Sequence, residues 1–154
     1  MELSRAWEPL DSLSFRKIMK DQAPIVCFLM EDKKGFKQHC GDLSFPNQVI
    51  VKKPDSRRGL ALLWKDEVMV DVINFTENHI LAKVVEENGF QWYLTCFYGW
   101  PESSQKSKSW ALLSHLASFT NCPWMYIGDF NAILHSSEKL CSRPPTYSQM
   151  DDFR

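Results

Sequence analysis

The sequence predicts a mixed α/β fold, of the α+β type, in which a run of antiparallel strands is bracketed by helices. Three observations carry this. Between residues 60 and 98, four stretches of strand length (60–64, 68–73, 80–85 and 90–98) follow one another with short turns between them. Connections that short join antiparallel neighbours, because a parallel crossover needs a dozen residues or more. The last stretch alternates throughout: Phe90, Trp92, Leu94, Cys96 and Tyr98 share one face, and Gln91, Tyr93, Thr95 and Phe97 the other. Then, at 107–119, the period changes. Trp110, Leu113, Leu116 and Ala117 fall on one helical stripe.

Taken in order, residues 10–22 read as a first helix. Leu10, Leu13 and Ile18, with Phe15, supply its apolar side; Asp11 or Ser12 caps it and Pro24 ends it. Ile25 to Met30 is a continuous apolar run, the pattern of a strand buried on both faces, and it exits into Glu31 and Asp32. A polar, irregular connection leads to a short strand at 47–52 and a loop, Pro54-Asp55-Ser56-Arg57-Arg58-Gly59. Lys65-Asp66 reads as a tight hairpin turn and 86–89 as another. Gly99-Trp100-Pro101 stops the alternating strand, and Asn121-Cys122-Pro123 closes the second helix. Residues 123–127 form a second apolar run, read as a short buried strand that stops at Gly128. A polar loop with Arg143-Pro144-Pro145 follows, and 149–154 has the start of a further helix.

Composition narrows the class. With 154 residues, 44% hydrophobic and 24% charged, the chain has the length and balance of one globular domain. A net charge of −1 advertises neither a nucleic-acid nor a membrane partner. Five widely spaced cysteines without a C-x-x-C pair read as free thiols, not as a zinc site or disulfide framework. No apolar segment follows Met1, and none reaches the roughly 18–20 residues of a membrane span. The expected location is therefore intracellular, nucleus or cytoplasm.

Polar groups with chemical potential stand at the ends of apolar strands: Glu31, Tyr98, and Asp129 with Asn131. A carboxylate and a carboxamide at i and i+2 of an extended segment share a face, and can hold a divalent cation and a phosphate oxygen. Gly128-Asp129-Phe130-Asn131 equally describes a simple turn, since Asp and Asn bond their own backbone. Lys52, Lys53, Arg57 and Arg58 make a local basic cluster that can touch phosphates, against the plainer reading of a solvated loop. His39, His79, His115 and His135 read as surface or edge residues.

At these residues the chain resembles the endonuclease/exonuclease/phosphatase superfamily, the fold of deoxyribonuclease I, and more narrowly the endonuclease domain of plant non-LTR retrotransposons. The resemblance runs through Phe28-Leu29-Met30-Glu31, Gly59-Leu60-Ala61-Leu62-Leu63-Trp64-Lys65, Asn78-His79-Ile80, Phe97-Tyr98-Gly99-x-Pro101-Glu102 and Ser109-Trp110. It continues through Gly128-Asp129-Phe130-Asn131, Glu138-Lys139 and Gln149-Met150. No single block is specific; the ordered set is. The resemblance implies a four-layer α-β-β-α sandwich of mostly antiparallel mixed sheets, here partial, with a phosphodiesterase site at the rim of the sheets. It implies that Glu31 ligates Mg²⁺ (or Mn²⁺), that Tyr98 bonds the scissile phosphate, that Asp129 orients or activates the attacking water, and that Asn131 binds phosphate in the transition state. DNA is the partner it implies.

The family's opening strand, with its Asn, and its closing Asp-His pair have no counterpart between Met1 and Arg154. The expectation is thus a single incomplete domain over 1–154, lacking the C-terminal part, with impaired turnover and self-association through an exposed sheet face. Three alternatives stand beside a Mg²⁺-dependent endonuclease: an inactive remnant of a retrotransposon, a non-catalytic nucleic-acid-binding module, and a phosphatase of the same superfamily.

Overall fold

The computed structural model describes residues 12–30, 45–53 and 59–132. Among the described residues seven strands form two sheets. In the first, β3 (Gly59–Trp64) lies between β1 (Val26–Met30) and β2 (Asn47–Lys52), antiparallel to both. In the second, β4 (Val68–Thr76), β5 (His79–Glu86) and β6 (Gln91–Tyr98) form an antiparallel meander, and β7 (Trp124–Asp129) adds to β6 in parallel. The crossover between β6 and β7 contains a short 3₁₀ turn and helix α2 (Lys106–Ala117). Helix α1 (Ser12–Gln22) precedes β1 and stops where Ala23, at φ +41°, returns its N–H to the Met19 carbonyl at 3.0 Å. Pro24 then forbids another helical turn. This is the α+β sandwich the sequence predicts.

The core lies between the sheets. Leu60 and Leu62 of β3 meet Ile80, Ala82 and Val84 of β5 and Leu94 and Cys96 of β6. Phe28, Val49, Val70 and Trp92 pack around them. The opposite face of the second sheet is covered by α2: Leu116 is 1% exposed and joins Leu81 and Tyr93, flanked by Leu112, Cys122 and Trp124. The alternation at 91–98 therefore serves two cores, Trp92, Leu94 and Cys96 facing the other sheet and Tyr93 facing the helix.

Several sequence expectations change. Lys65-Asp66 is no hairpin turn, because β3 does not pair with β4; the turn carries the chain from one sheet to the other. Strand β1 is half-buried along its length rather than buried on both faces, and among the described residues it stands at the edge of its sheet. Strand β7 departs furthest. Met125, Tyr126 and Ile127 are each about half exposed, at 56%, 52% and 48%. Met125 and Ile127 pair with Leu94 and Cys96, which do lie in the core. The described part of the three-stranded sheet covers β5 and β6 but stops short of β7. On α2 the inward face is Ser109, Leu112 and Leu116, and Ala117 is exposed; Ile18 of α1 is also exposed. No described helix is long and apolar enough to cross a membrane.

His79 overturns the reading of the histidines as surface or edge groups. It is 1% exposed, with Nδ1 hydrogen-bonded to Thr76 Oγ1 at 2.9 Å. Its Nε2 is buried without a hydrogen-bond partner among the described residues. Burial, reinforced by His115 nearby, lowers its pKa from 6.5 to about 4, so the folded chain holds the ring neutral. Since the unfolded chain takes up the proton first, stability is complete above pH 6.5 and is lost as pH falls toward 4. The loss approaches about 3 kcal/mol at its limit. Urea denaturation at pH 7 and at pH 4.5 will show this decline in the wild type, and His79→Phe will flatten its share.

Two glycines offer a second check. Gly128 has φ +150°, and a Cβ there would overlap the Phe97 carbonyl of the neighbouring strand. Gly89, in the β5–β6 turn, has φ +81° and open space around it. Gly89→Ala should cost about 1–2 kcal/mol of backbone strain. Gly128→Ala forces two main chains apart and should cost more, about 3 kcal/mol or above, read as the larger drop in melting temperature by circular dichroism.

Candidate functional site at the rim of the two sheets

Strands β6 and β7 run in parallel and end together. Their last register partners are Tyr98 and Asp129. Register partners in a sheet send their side chains to the same face, and here it is the face turned toward the other sheet, since Tyr98 packs on the inter-sheet core. Topology therefore sets Tyr98 and Asp129, two of the residues singled out in the sequence, side by side. Asp129 is exposed and Tyr98 is half-buried.

Asn131 arrives differently from the expectation. It does not share a strand face with Asp129, because β7 ends at Asp129 and Asn131 has left-handed backbone geometry, φ +50°. Asparagine tolerates this region because its short amide can bond locally. Asp129 Oδ1 accepts the Asn131 N–H at 2.8 Å, closing a local turn. The Asn131 side chain donates from Nδ2 to the Gly99 carbonyl at 2.8 Å, and Gly99 N–H donates to the Asp129 carbonyl, also at 2.8 Å. The exits of β6 and β7 are thus laced to each other one residue beyond the ladder. Phe130, between Asp129 and Asn131, stacks on Phe97 at 5.2 Å between ring centroids, and Tyr126 meets its edge at 5.7 Å.

Three supporting residues were not assigned roles from sequence. Lys106, at the start of α2, donates its ammonium to the Asn131 carbonyl. Gly99 does more than stop the strand: a Cβ there would overlap the Phe130 carbonyl, so the close approach of the two exits needs glycine. Asn78 is 3% exposed and bonds the Tyr98 main chain twice: its carbonyl accepts the Tyr98 N–H and its Nδ2 donates to the Tyr98 carbonyl, both at 2.8 Å. Asn78 and Gly99 fell inside the resemblance blocks, which marked the positions but not the bonds. Nothing in the sequence marked Lys106.

The first sheet ends at the same rim. Met30 pairs with Leu60 and Lys52 with Gly59. Gly59, Leu60 and Lys53 line a cavity together with Glu77, Asn78, Tyr98, Trp100, Pro101 and Glu102 from the second sheet and its exit. Lys53 bridges the two sheets by an ion pair with Glu77, 3.4 Å apart. Both side chains are 40% exposed, so solvent screening leaves this pair little worth. Lys52 is exposed. Glu31, Arg57 and Arg58 lie outside the described residues; Met30, which precedes Glu31, pairs with a residue of this cavity. Among the described residues no three His, Cys, Asp or Glu side chains converge, so Asp129 is the rim carboxylate beside Tyr98 but not by itself a cation site.

Buried thiols take no part. Cys96 lies in the inter-sheet core, where burial, with Cys27 nearby, raises its pKa to about 12.

No family model matches the chain, and neither does any curated protein. Solved structures do match its fold. ANGEL2, a 2′,3′-cyclic phosphatase, superposes with a TM-score of 0.64 at 16% identity, over 79% of this chain and 43% of that one. TDP2 of D. rerio, complexed with single-strand DNA product, gives a TM-score of 0.59 at 18% identity, over 79% and 54%. An endonuclease/exonuclease/phosphatase family protein from Bacteroides thetaiotaomicron gives 0.64 at 10% identity, over 82% and 57%. The chain spans about half the length of these structures. Two sheets, the parallel β6–β7 pair and the flanking helix are thus the part of the fold that this chain shares with these structures.

Proposed function

We propose that this chain forms part of a metal-dependent phosphodiester hydrolase of retrotransposon type, acting on DNA. The observation that carries the reading is the pairing of Tyr98 with Asp129 on one sheet face at the rim, with Asn131 tied to both strand exits. Phosphodiester hydrolysis needs a positioned water and hydrogen-bond donors on the phosphate oxygens. Asp129 supplies an exposed carboxylate to orient the water, and Tyr98 and Asn131 supply donors. A divalent cation, Mg²⁺ or Mn²⁺, would neutralise charge on the phosphate, with Glu31 as its ligand by resemblance. The D. rerio TDP2 structure with single-strand DNA product supports a nucleic-acid substrate for the fold. The ANGEL2 likeness keeps phosphatase chemistry as the neighbouring option, and the ordered retrotransposon-type blocks favour DNA.

Conversion of supercoiled plasmid to the nicked form in Mg²⁺ tests this. Asp129→Ala and Asn131→Ala should each lower the rate by about 10²-fold or more, and chelation should abolish it. Salt-sensitive DNA binding without nicking would replace the enzyme with the binding module; absence of both would leave an inactive remnant.

The exposed side chains of β7 support a second property, self-association. Met125 and Ile127 present apolar surface beside an open strand edge among the described residues, a combination that invites pairing with another chain. Sedimentation should show mass rising with concentration and strong hydrophobic-dye binding. Ile127→Lys should reduce both; a monomer at all concentrations would dispose of the idea.

A further inference from the structure

We propose that the cavity beside Tyr98 is a nucleobase subsite, in which Trp100 stacks on an unpaired base adjoining the scissile phosphodiester. The inference rests on the phosphodiesterase reading, which places phosphate at Tyr98. The cavity continues from Tyr98 to Trp100 and Pro101, between the ends of both sheets. Trp100 is half-buried. It is also held: its N–H donates at 3.1 Å to Oγ of Ser109, a residue of α2 that is 1% exposed. Pro101 fixes the next φ. An aromatic on so constrained a backbone loses little freedom when a flat ligand stacks on it.

The charges favour a base over a second phosphate at this end. Among the described residues Lys53 is the cation lining the cavity, and Glu77 offsets it. Glu102 adds a further carboxylate beside Pro101. A bare anion gains nothing there, whereas an aromatic face attracts any base irrespective of sequence. A base inside a duplex stack cannot offer its face, so the ligand class is a single-stranded or locally unpaired nucleotide, as at a nick, a flap or a melted step.

The test is direct binding, without metal, of a short oligothymidylate and of an abasic strand of equal length and charge, followed by tryptophan fluorescence. Wild type should prefer the base-bearing strand by roughly 5–100-fold, the range of one stacked base. Trp100→Ala should bring the two affinities within about twofold, and Trp100→Phe should keep most of the preference. Thermal melts of both variants confirm that they fold. Equal binding of the two strands by wild type, binding of neither, or a preference that survives Trp100→Ala overturns the proposal. Plasmid nicking measured alongside separates the two ideas: nicking without base preference removes the subsite alone, and base preference without nicking removes the catalytic reading alone.

Discussion

The contact on which the rim depends is the one between Gly128 and the Phe97 carbonyl. Strand β7 approaches β6 so closely at this register pair that no side chain fits. The same approach fixes the next pair, Tyr98 with Asp129, and the hydrogen bond beyond it, from Gly99 to the Asp129 carbonyl. Gly99 repeats the device, since the Phe130 carbonyl occupies the space of its absent Cβ. Two glycines, Gly128 on β7 and Gly99 just past β6 and two residues beyond Gly128's register partner Phe97, thus replace side-chain bulk with main-chain contact. The polar groups that follow are held by backbone rather than by long, entropically costly side chains.

That constraint would accomplish little if the other sheet ended elsewhere. Strand β3 starts at Gly59, where β2 and β1 are finishing, so its first residues face the exit of β6. The link is the buried block of Leu60, Leu62, Ile80, Ala82, Leu94 and Cys96, which sets the sheets against each other. At the outer margin of this block the apolar side chains give way to Tyr98, Asn78 and the Lys53–Glu77 pair. Asn78 spends both its carbonyl and its amide on the Tyr98 main chain. A buried asparagine without those bonds would be costly, so Tyr98 and Asn78 stabilise each other's positions.

Much of the fold was legible because period and connection length are local signals. Alternation at 91–98 and the helical stripe after 106 follow from side-chain geometry alone. Which strands pair is not local. Lys65-Asp66 has turn chemistry, yet whether the chain returns to the same sheet depends on partners for β3 that come from 26–30 and 47–52. The exposure of β7 is hidden from the sequence for a related reason. Apolar residues record what a strand can bury, whereas exposure depends on how far the facing sheet extends. His79 shows the reverse error: a polar residue at a strand start looks peripheral until α2 is laid over it. At the candidate site the ordered blocks single out Tyr98, Asp129 and Asn131 but not Lys106, since its bond to the Asn131 carbonyl spans 25 residues and has no sequence signature.

Of the two sequence readings of Gly128-Asp129-Phe130-Asn131, the turn is the geometry found, and the proposed reaction site would be built on it. Asp129 does what aspartates at strand ends do, accepting a backbone N–H two residues on. That bond holds one carboxylate oxygen in place while the residue stays exposed to solvent. Asn131 does what asparagines do at positive φ, and the reversal turns its amide back onto Gly99 instead of onward along the strand. An extended segment would have placed both side chains on one face but left each free to rotate. The turn gives up that regular spacing and restricts both groups, which would suit the proposed role of Asp129 in aiming a water molecule at a phosphate.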